Sequence, residues 1–346
     1  MQIKKIDIFL IFLFCVSFQM VNAQVKSDSI IVSKIWDQEK HNAFPDLYKF
    51  KGKMYCVFRE GASHVDNNNT GKVRVIRSKD GVQWETIALF SMDGIDVREA
   101  RLSETPDGNL MAILAAGVWR DGKYLTLAPY VSYSDKKGNT FGELQSVSIN
   151  DGATPALDWI WRITWHKGVG YGVMYRLRGY NDAWEAHLLK TKDGKNYELV
   201  KQLDIDGNPN ESTIRFGEND EMFIVVRREA GDKNGVLARS SFPYTQWSQK
   251  PINFQLGGPN FLFLNNKSQI VLGSRFRENK TASTRLFVMD LNAKILKTIT
   301  LPSGGDTSYP GMVIEKNKLW VAYYSSHEGK SNIYLAQVPL SKLEVK

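Results

Sequence analysis

The sequence is poor in cysteine: it has 2 in 346 residues, Cys15 and Cys56. It also lacks the common metal and nucleotide signatures. There is no HExxH, no paired CxxC and no glycine-rich phosphate loop, so no metal ion and no cofactor are expected. Long apolar runs are missing too. The run Ile8–Val16 is too short to cross a bilayer, and no later stretch is long and apolar enough, so no membrane span is expected. The formal net charge is +8, but lysine and arginine are scattered rather than gathered into a tract. That argues against a nucleic-acid partner. Arginines near strand ends fit a small acidic substrate better. No segment sustains a 3.6-residue apolar period between helix caps, which excludes a helical fold.

The N-terminus has its own pattern. Lys4 and Lys5 precede the apolar run, and Val21, Asn22 and Ala23 form a small-residue cleavage site before Gln24. This predicts a secretory signal over Met1–Ala23 and a secreted or periplasmic location. Cys15 lies in the apolar run without the small residues of a lipoprotein signal. Cys56 is then the one cysteine left, so no internal disulfide can form. Its place in the apolar run Met54–Phe58 predicts a buried, inert thiol. Residues 24–346 are expected to form a single domain and a monomer.

That domain repeats itself. A polar entry, a strand, a short turn and a strongly apolar strand recur six times, from Phe44, Glu99, Trp161, Glu211, Pro259 and Tyr309. The equivalent apolar positions Leu47, Leu102, Ile163, Ile214, Leu262 and Met312 stand about 50 to 60 residues apart, a period of propeller blades. The reading is an all-β, six-bladed β-propeller, with Asp28–Trp36 as the outer strand of the last blade. Closing a ring of blades protects the sheet edges. It also brings the mouths of all six hairpins to one end of the axis.

A second motif follows some hairpins: a Ser or Thr, an Asp-Gly turn and an aromatic. It occurs at Ser78–Trp84 and Thr191–Tyr197, in weaker form at Ser134–Phe141, and as a remnant at Ser241–Trp247. The side-chain oxygens bond the turn backbone, Gly takes the positive φ, and the aromatic packs beneath. These turns resemble the Asp-box of sialidases, in which the box is structural, so no chemistry is assigned to them.

The polar residues at the hairpin mouths are the site candidates. Isolated surface ion pairs carry little energy and no function, but recurrence at one topological position points to a shared pocket. The resemblance to secreted sialidases sharpens the choice. In that family the fourth blade carries a Glu one hairpin upstream of an Arg, as Glu211 and Arg227 stand here, and the sixth opens on a nucleophilic Tyr, matched by Tyr309. A neutral phenol avoids the repulsion a carboxylate nucleophile would meet beside an acidic sugar, and it needs an adjacent base. The resemblance therefore implies that Tyr309 attacks, Glu211 activates it, and an acid in the loop after blade one, where Asp66 and His64 both stand, protonates the leaving oxygen. Arg227 with Arg275 or Arg277 would hold the acidic group. Arg59, Arg162, Arg176 and Trp161 are further substrate-binding candidates. One departure is plain: Ala43, Phe44 and Pro45 stand where sialidases have an Arg-Ile-Pro element, so one carboxylate-gripping arginine is missing. The expected function is an exported glycoside hydrolase acting on an acidic glycan. Two alternatives are a lyase, with His64 or Tyr309 abstracting a proton from a uronic acid, and a non-catalytic glycan-binding propeller using Trp119, Trp161, Trp165 and Trp184.

Overall fold

The computed structural model describes residues 29–345 apart from 180, 265 and 266. The predicted signal Met1–Ala23, with Cys15, lies outside the described residues. Six small sheets, antiparallel apart from one added strand, follow one another along the chain. Their innermost strands are His41–Phe50, Asp96–Glu104, Leu157–His166, Pro209–Phe216, Asn260–Phe263 and Thr307–Glu315. These six open the six blades, and the fold is a six-bladed β-propeller. Among the described residues no helix is long and apolar enough to cross a membrane.

The second strand of each blade explains why the sheets stack. Met54–Phe58, Leu110–Ala115 and Met222–Val226 are buried at odd and even positions alike. A strand covered on both faces needs apolar side chains on both, and neighbouring blades supply the cover. Each such Leu, Ile or Val contributes about 1.5–3 kcal/mol on burial. Cys56 sits among these residues, fully buried and free. One strand has no counterpart in the sequence pattern. Ser148–Asn150 adds to blade three in parallel, beside Asn196–Leu203. Three residues give too short a pattern to be recognised.

The ring closes on a strand from the other end of the chain. Ile31–Trp36 pairs antiparallel with Asn332–Pro339, with Ile31 opposite Gln337 and Lys34 opposite Tyr334. Trp36 then donates its indole N–H to Glu60 of blade one at 2.6 Å. At the same seam Asn42 donates its backbone N–H and its side-chain amide to the Ser331 carbonyl, at 3.1 and 2.9 Å. The Ser331 hydroxyl returns a bond of 2.8 Å to the Asn42 carbonyl.

The turns with the Asp-Gly motif share one geometry. Ser78 Oγ accepts from the N–H of Asp80 and Gly81, and Asp80 Oδ1 from those of Val82 and Gln83. Thr191 and Asp193 repeat this with Gly194, Lys195 and Asn196. Both turns join the third and fourth strands of a blade, remote from the axis.

Blade six abuts the backbone of blade one at Gly311. A Cβ there would collide with the Leu47 amide nitrogen and stand 2.5 Å from the Asp46 carbonyl carbon. Both are backbone atoms that cannot rotate away. Gly311→Ala is expected to destabilise the fold by about 1–3 kcal/mol, the scale of overpacking. Urea denaturation checks this, and a midpoint equal to wild type would mean the seam is looser than described.

Candidate active site

The site is built at the entry to the innermost strands, where the backbone is irregular. In blades one, two and six, two residues oppose one between Ala43 and Asp46, Arg98 and Arg101, and Ser308 and Gly311. Such bulges re-aim side chains. The first residue of each is left-handed: Phe44 at φ 58°, Glu99 at 55° and Tyr309 at 55°. Bulky residues adopt this conformation only when their surroundings hold them there. Each stands three places before the repeat's apolar marker, Leu47, Leu102 or Met312, and Glu211 stands three places before Ile214.

Glu211 and Tyr309 meet from different blades. The Tyr309 hydroxyl donates to Glu211 Oε1 at 2.5 Å. Arg227 Nη1 donates to the same oxygen at 2.7 Å and to the Tyr309 hydroxyl at 3.2 Å. Glu211 Oε2 accepts the Gly258 N–H at 2.7 Å. Gly258 has φ 60°, and a Cβ on it would lie 2.6 Å from Tyr309 Cδ2, so glycine is required twice over. Arg227 is held from behind by Glu229. The Tyr309 ring packs on Phe44 at 4.9 Å, Trp161 at 5.7 Å and Tyr324 at 5.9 Å. The Arg275 guanidinium lies 5.9 Å from it.

Burial and charge set the protonation states. Burial pushes the Glu211 carboxyl up, but Arg227, the Tyr309 hydroxyl and Arg275 outweigh it and hold the group below the usual carboxylate range. Burial and the Glu211 charge push the Tyr309 phenol well above its ordinary value. A carboxylate base therefore faces a neutral phenol. Glu99 is the opposite case. Burial raises its pKa, Glu211 adds to this, and the Arg98, Arg101 and His64 charges fail to cancel it. Two interacting carboxyls are thus pushed in opposite directions, the pattern of an acid and a base. Tyr175 stands near both, its phenol raised by burial and then by the Glu99 and Glu211 charges.

The other predicted residues separate into two groups. Arg275 and Arg277 form no ion pair among the described residues; Arg275 is half-buried and Arg277, two residues on along the strand, is exposed. Three arginines are neutralised inside the protein. Arg59 is bound to Asp96 at 2.8 Å, Arg162 to Asp46 at 2.8 Å, and Arg176 to Asp158 and Asp151 at 2.6 and 2.8 Å. Trp161 is buried beneath Tyr309 with the Arg101 guanidinium 4.1 Å from its ring. Asp66 accepts the N–H groups of Asn68 and Thr70 and the Thr70 hydroxyl. Burial raises its pKa, but these bonds win and lower it, so it is poorly placed to give up a proton. The four tryptophans do not share a face. Trp119 packs tilted against Tyr124 at 3.7 Å, and Trp184 stacks on Tyr175 at 6.3 Å. Trp165 opens on a cavity at the other end of the axis.

His64 belongs to a cluster that the sequence pattern does not assemble. His64 Nδ1 and His41 Nε2 both reach Asp306 Oδ2, at 2.8 and 2.9 Å, and Tyr324 donates to Oδ1 at 2.7 Å. The three groups could hold a metal ion. However, His41 Nδ1 is buried with no partner. A metal on Nε2 would leave an N–H there without an acceptor, so two imidazole N–H groups donating to one carboxylate fit the donor set better. Asp306 lies in a loop with no repeat counterpart, so the sequence pattern does not single it out. Glu99 opens its repeat, and its offset from the apolar marker, shared with Tyr309 and Glu211, is the signal that marks it.

The chain matches no protein-family model and no curated protein. Solved structures do resemble it. A protein of unknown function from Dyadobacter fermentans superposes with a TM-score of 0.75 at 20% identity, over 89% of this chain and 99% of that one. The α-L-arabinanase of Penicillium chrysogenum, complexed with arabinobiose, gives 0.70 at 14%, over 91% and 99%. Trypanosoma rangeli sialidase, as a covalent intermediate with 2,3-difluorosialic acid, gives 0.67 at 11%, over 91% of this chain and 59% of that chain. The chain thus matches about three-fifths of the sialidase's length. At these identities the likeness is one of fold: this chain shares the propeller of these structures.

The Glu99 proton has a consequence for stability. Its folded pKa lies above the unfolded value of about 4.3. Between the two values the folded state holds a proton that the unfolded chain has released. The contribution of Glu99 is full below the unfolded pKa and is lost as pH rises through the folded one. Glu211, with a lowered pKa, acts in the other direction and in a more acidic window. Glu99→Gln is therefore expected to flatten the fall in unfolding free energy as pH rises above the unfolded value, leaving the acid limb in place. Urea melts across that range measure it, and an unchanged slope would assign the proton to another group.

Proposed function

We propose that the protein is an exported glycoside hydrolase acting at the acidic end of a glycan, with Met1–Ala23 as its secretory signal. The observation that carries the reading is the 2.5 Å hydrogen bond from the Tyr309 hydroxyl to Glu211, with Arg227 donating to both groups and Arg275 beside the ring. In the proposed reaction Tyr309 Oη attacks the anomeric carbon while its proton passes to Glu211 Oε1. Glu99, in place of Asp66, gives its proton to the glycosidic oxygen, and the leaving sugar departs. Water then attacks the glycosyl-tyrosine. Glu99 takes the water's proton, the phenolate leaves, and Glu211 returns the proton to it. Arg227 and Arg275 hold the substrate's acidic group, and Arg277 lies along the same strand face for a longer glycan. Ala43 stands where the Arg-Ile-Pro element of a sialidase has its arginine, and the next residue, Phe44, puts an apolar ring against Tyr309. This supports a substrate other than sialic acid that still carries a carboxylate. The fold shared with an arabinanase and a sialidase is consistent with a glycosidase.

The Asp306–His64 pair favours a second reading, a lyase for uronic acids. A histidine oriented by a carboxylate through Nδ1 can use Nε2 as a base, and His64 is partly exposed. Product analysis separates the two. A hydrolase leaves a saturated sugar containing solvent oxygen, and a lyase leaves an unsaturated uronate that absorbs ultraviolet light. An intact glycan that nevertheless binds would make the protein a binding module.

Variants test the residue roles. Tyr309→Phe and Glu99→Gln are each expected to lower kcat by about a hundredfold or more, the range of general acid–base and nucleophilic catalysis. Arg227→Lys and Arg275→Lys keep charge but lose the guanidinium fork, and each should cost roughly tenfold in kcat/KM. Arg228→Lys should cost much less, because Arg228 turns away to Asp206, Asp232 and the Asn234 carbonyl. Steady-state kinetics with thermal melts check all five. A loss at Arg228 matching that at Arg227 would overturn the assignment.

A further inference from the structure

The opposite end of the axis carries a cavity of about 610 Å³. Leu47, Leu102, Ile163, Leu262 and Met312 line it, the apolar markers of five blades, with Trp165 beside them. It is separate from the cluster around Tyr309, which stands at the entry ends of the innermost strands, whereas later residues of those strands line this cavity. Between the two lies a buried polar layer in which Arg162 is bound to Asp46 and Arg101 donates to the Phe44 and Pro45 carbonyls.

Arg215 is the unmatched charge of this layer. Arg101 and Arg162 stand with it; Asp46, Glu99 and Glu211 act on Arg101, and Asp46 binds Arg162. Arg162 engages Asp46 through Nη1. Its Nε is buried with no partner, and the side chain borders the cavity. Arg215 also borders it. Its partners are all neutral: the Thr164 hydroxyl at 3.1 Å, the Ile214 carbonyl at 2.7 Å and the Asn260 side-chain oxygen at 2.9 Å. No carboxylate is in ion-pair reach of Arg215 among the described residues. Burial, followed by repulsion from Arg162, pulls its pKa down to about 9. The charged groups at the cavity rim are already matched, Lys49 with Glu315 at 2.5 Å and Glu104 with Lys51 at 3.5 Å. A guanidinium removed from water without a counter-charge is unfavourable unless something supplies that charge.

We propose that this cavity is a second binding site, for a small organic anion whose carboxylate pairs with Arg215 and whose apolar body packs on the ring of blade markers. The volume is that of a small-molecule site. The composition decides the ligand class. A bare inorganic ion would fill the charged corner and leave the Leu, Ile and Met wall wet, whereas a neutral apolar molecule would leave Arg215 without its counter-charge. A carboxylate on a ring or short chain satisfies both. The inference is independent of the catalytic reading, since it uses none of the groups around Tyr309.

Benzoate is the probe, with benzamide as its neutral counterpart and sulfate as the bare ion. Calorimetric titration of the full folded protein is expected to show saturable benzoate binding, with benzamide and sulfate weaker by roughly tenfold or more, the scale of a lost charged hydrogen bond or a lost apolar contact. Arg215→Gln should abolish the benzoate signal. Arg275→Gln, at the other end of the axis, should leave it intact. The reverse pattern would place the anion in the pocket around Tyr309 and overturn the proposal, as would absence of saturable binding. Equal affinity for sulfate would reduce the site to an adventitious ion only. If Arg215→Gln fails to fold, a crystal soaked in 4-bromobenzoate decides the matter: a bromine anomalous peak among Leu102, Ile163 and Met312 supports the site, and a peak elsewhere or none refutes it.

Discussion

The buried carboxylate of Asp46 is the fixed point of the structure. It is fully enclosed. Its oxygens take Arg162 of blade three and the Leu102 N–H of blade two, so one side chain of blade one ties three blades at the axis. Removing one partner of such a pair leaves an uncompensated charge and costs about 3–5 kcal/mol, although the intact pair contributes little by itself. Its value lies in register. Six strands converge on a lumen too narrow for six large side chains at one level. The polar layer settles which residues point inward there and which are displaced toward either end.

The bulges stand just before that layer. Phe44 and Glu99 each precede a buried polar side chain by two residues, Asp46 and Arg101, and Tyr309 precedes Gly311, which abuts the Asp46 and Leu47 backbone. Phe44, Glu99 and Tyr309 take a left-handed conformation that their size disfavours. The surroundings hold them there: Gly258 yields the space against Tyr309, and Pro310 and Gly311 carry the chain on past the bulge. Backbone strain and close packing thereby aim a phenol and a carboxyl into one pocket while Glu211 enters from blade four.

Much of this was legible in the sequence, for a physical reason. A blade is covered on both faces, so its second strand must be apolar throughout, and six such runs at a regular period fit a closed ring of blades and little else. The seam strand was legible because a ring must be closed by one of the chain's own ends. Glu211, Arg227 and Tyr309 could be brought together because each sits at a fixed place in a repeat. The arginines were harder to sort. Whether Arg59, Arg162 or Arg176 is free depends on Asp96, Asp46 and Asp158, which lie 37, 116 and 18 residues away. No local pattern records such pairings. Asp66 illustrates the same limit, because its hydrogen bonds to Asn68 and Thr70 turn a candidate acid into a loop fastening.

The arrangement also bears on how a tyrosine could serve in the proposed chemistry. A phenol is a poor nucleophile when neutral and a costly buried anion when charged. Glu211 alone would make the first state reactive but the second worse, since its charge raises the Tyr309 pKa. The cations resolve this conflict. Arg227 touches both the hydroxyl and the carboxylate, and the Arg275 and Arg101 guanidinium groups lie 5.9 and 5.8 Å from the ring. As the proton moves from Tyr309 to Glu211, negative charge moves from carboxylate to phenolate, and Arg227 follows it without changing place. Preorganised charge of this kind needs no rearrangement at the moment of reaction. In the proposed reaction Arg227 and Arg275 would also hold a carboxylate-bearing sugar, so the same arginines would serve both selection of substrate and activation of the phenol.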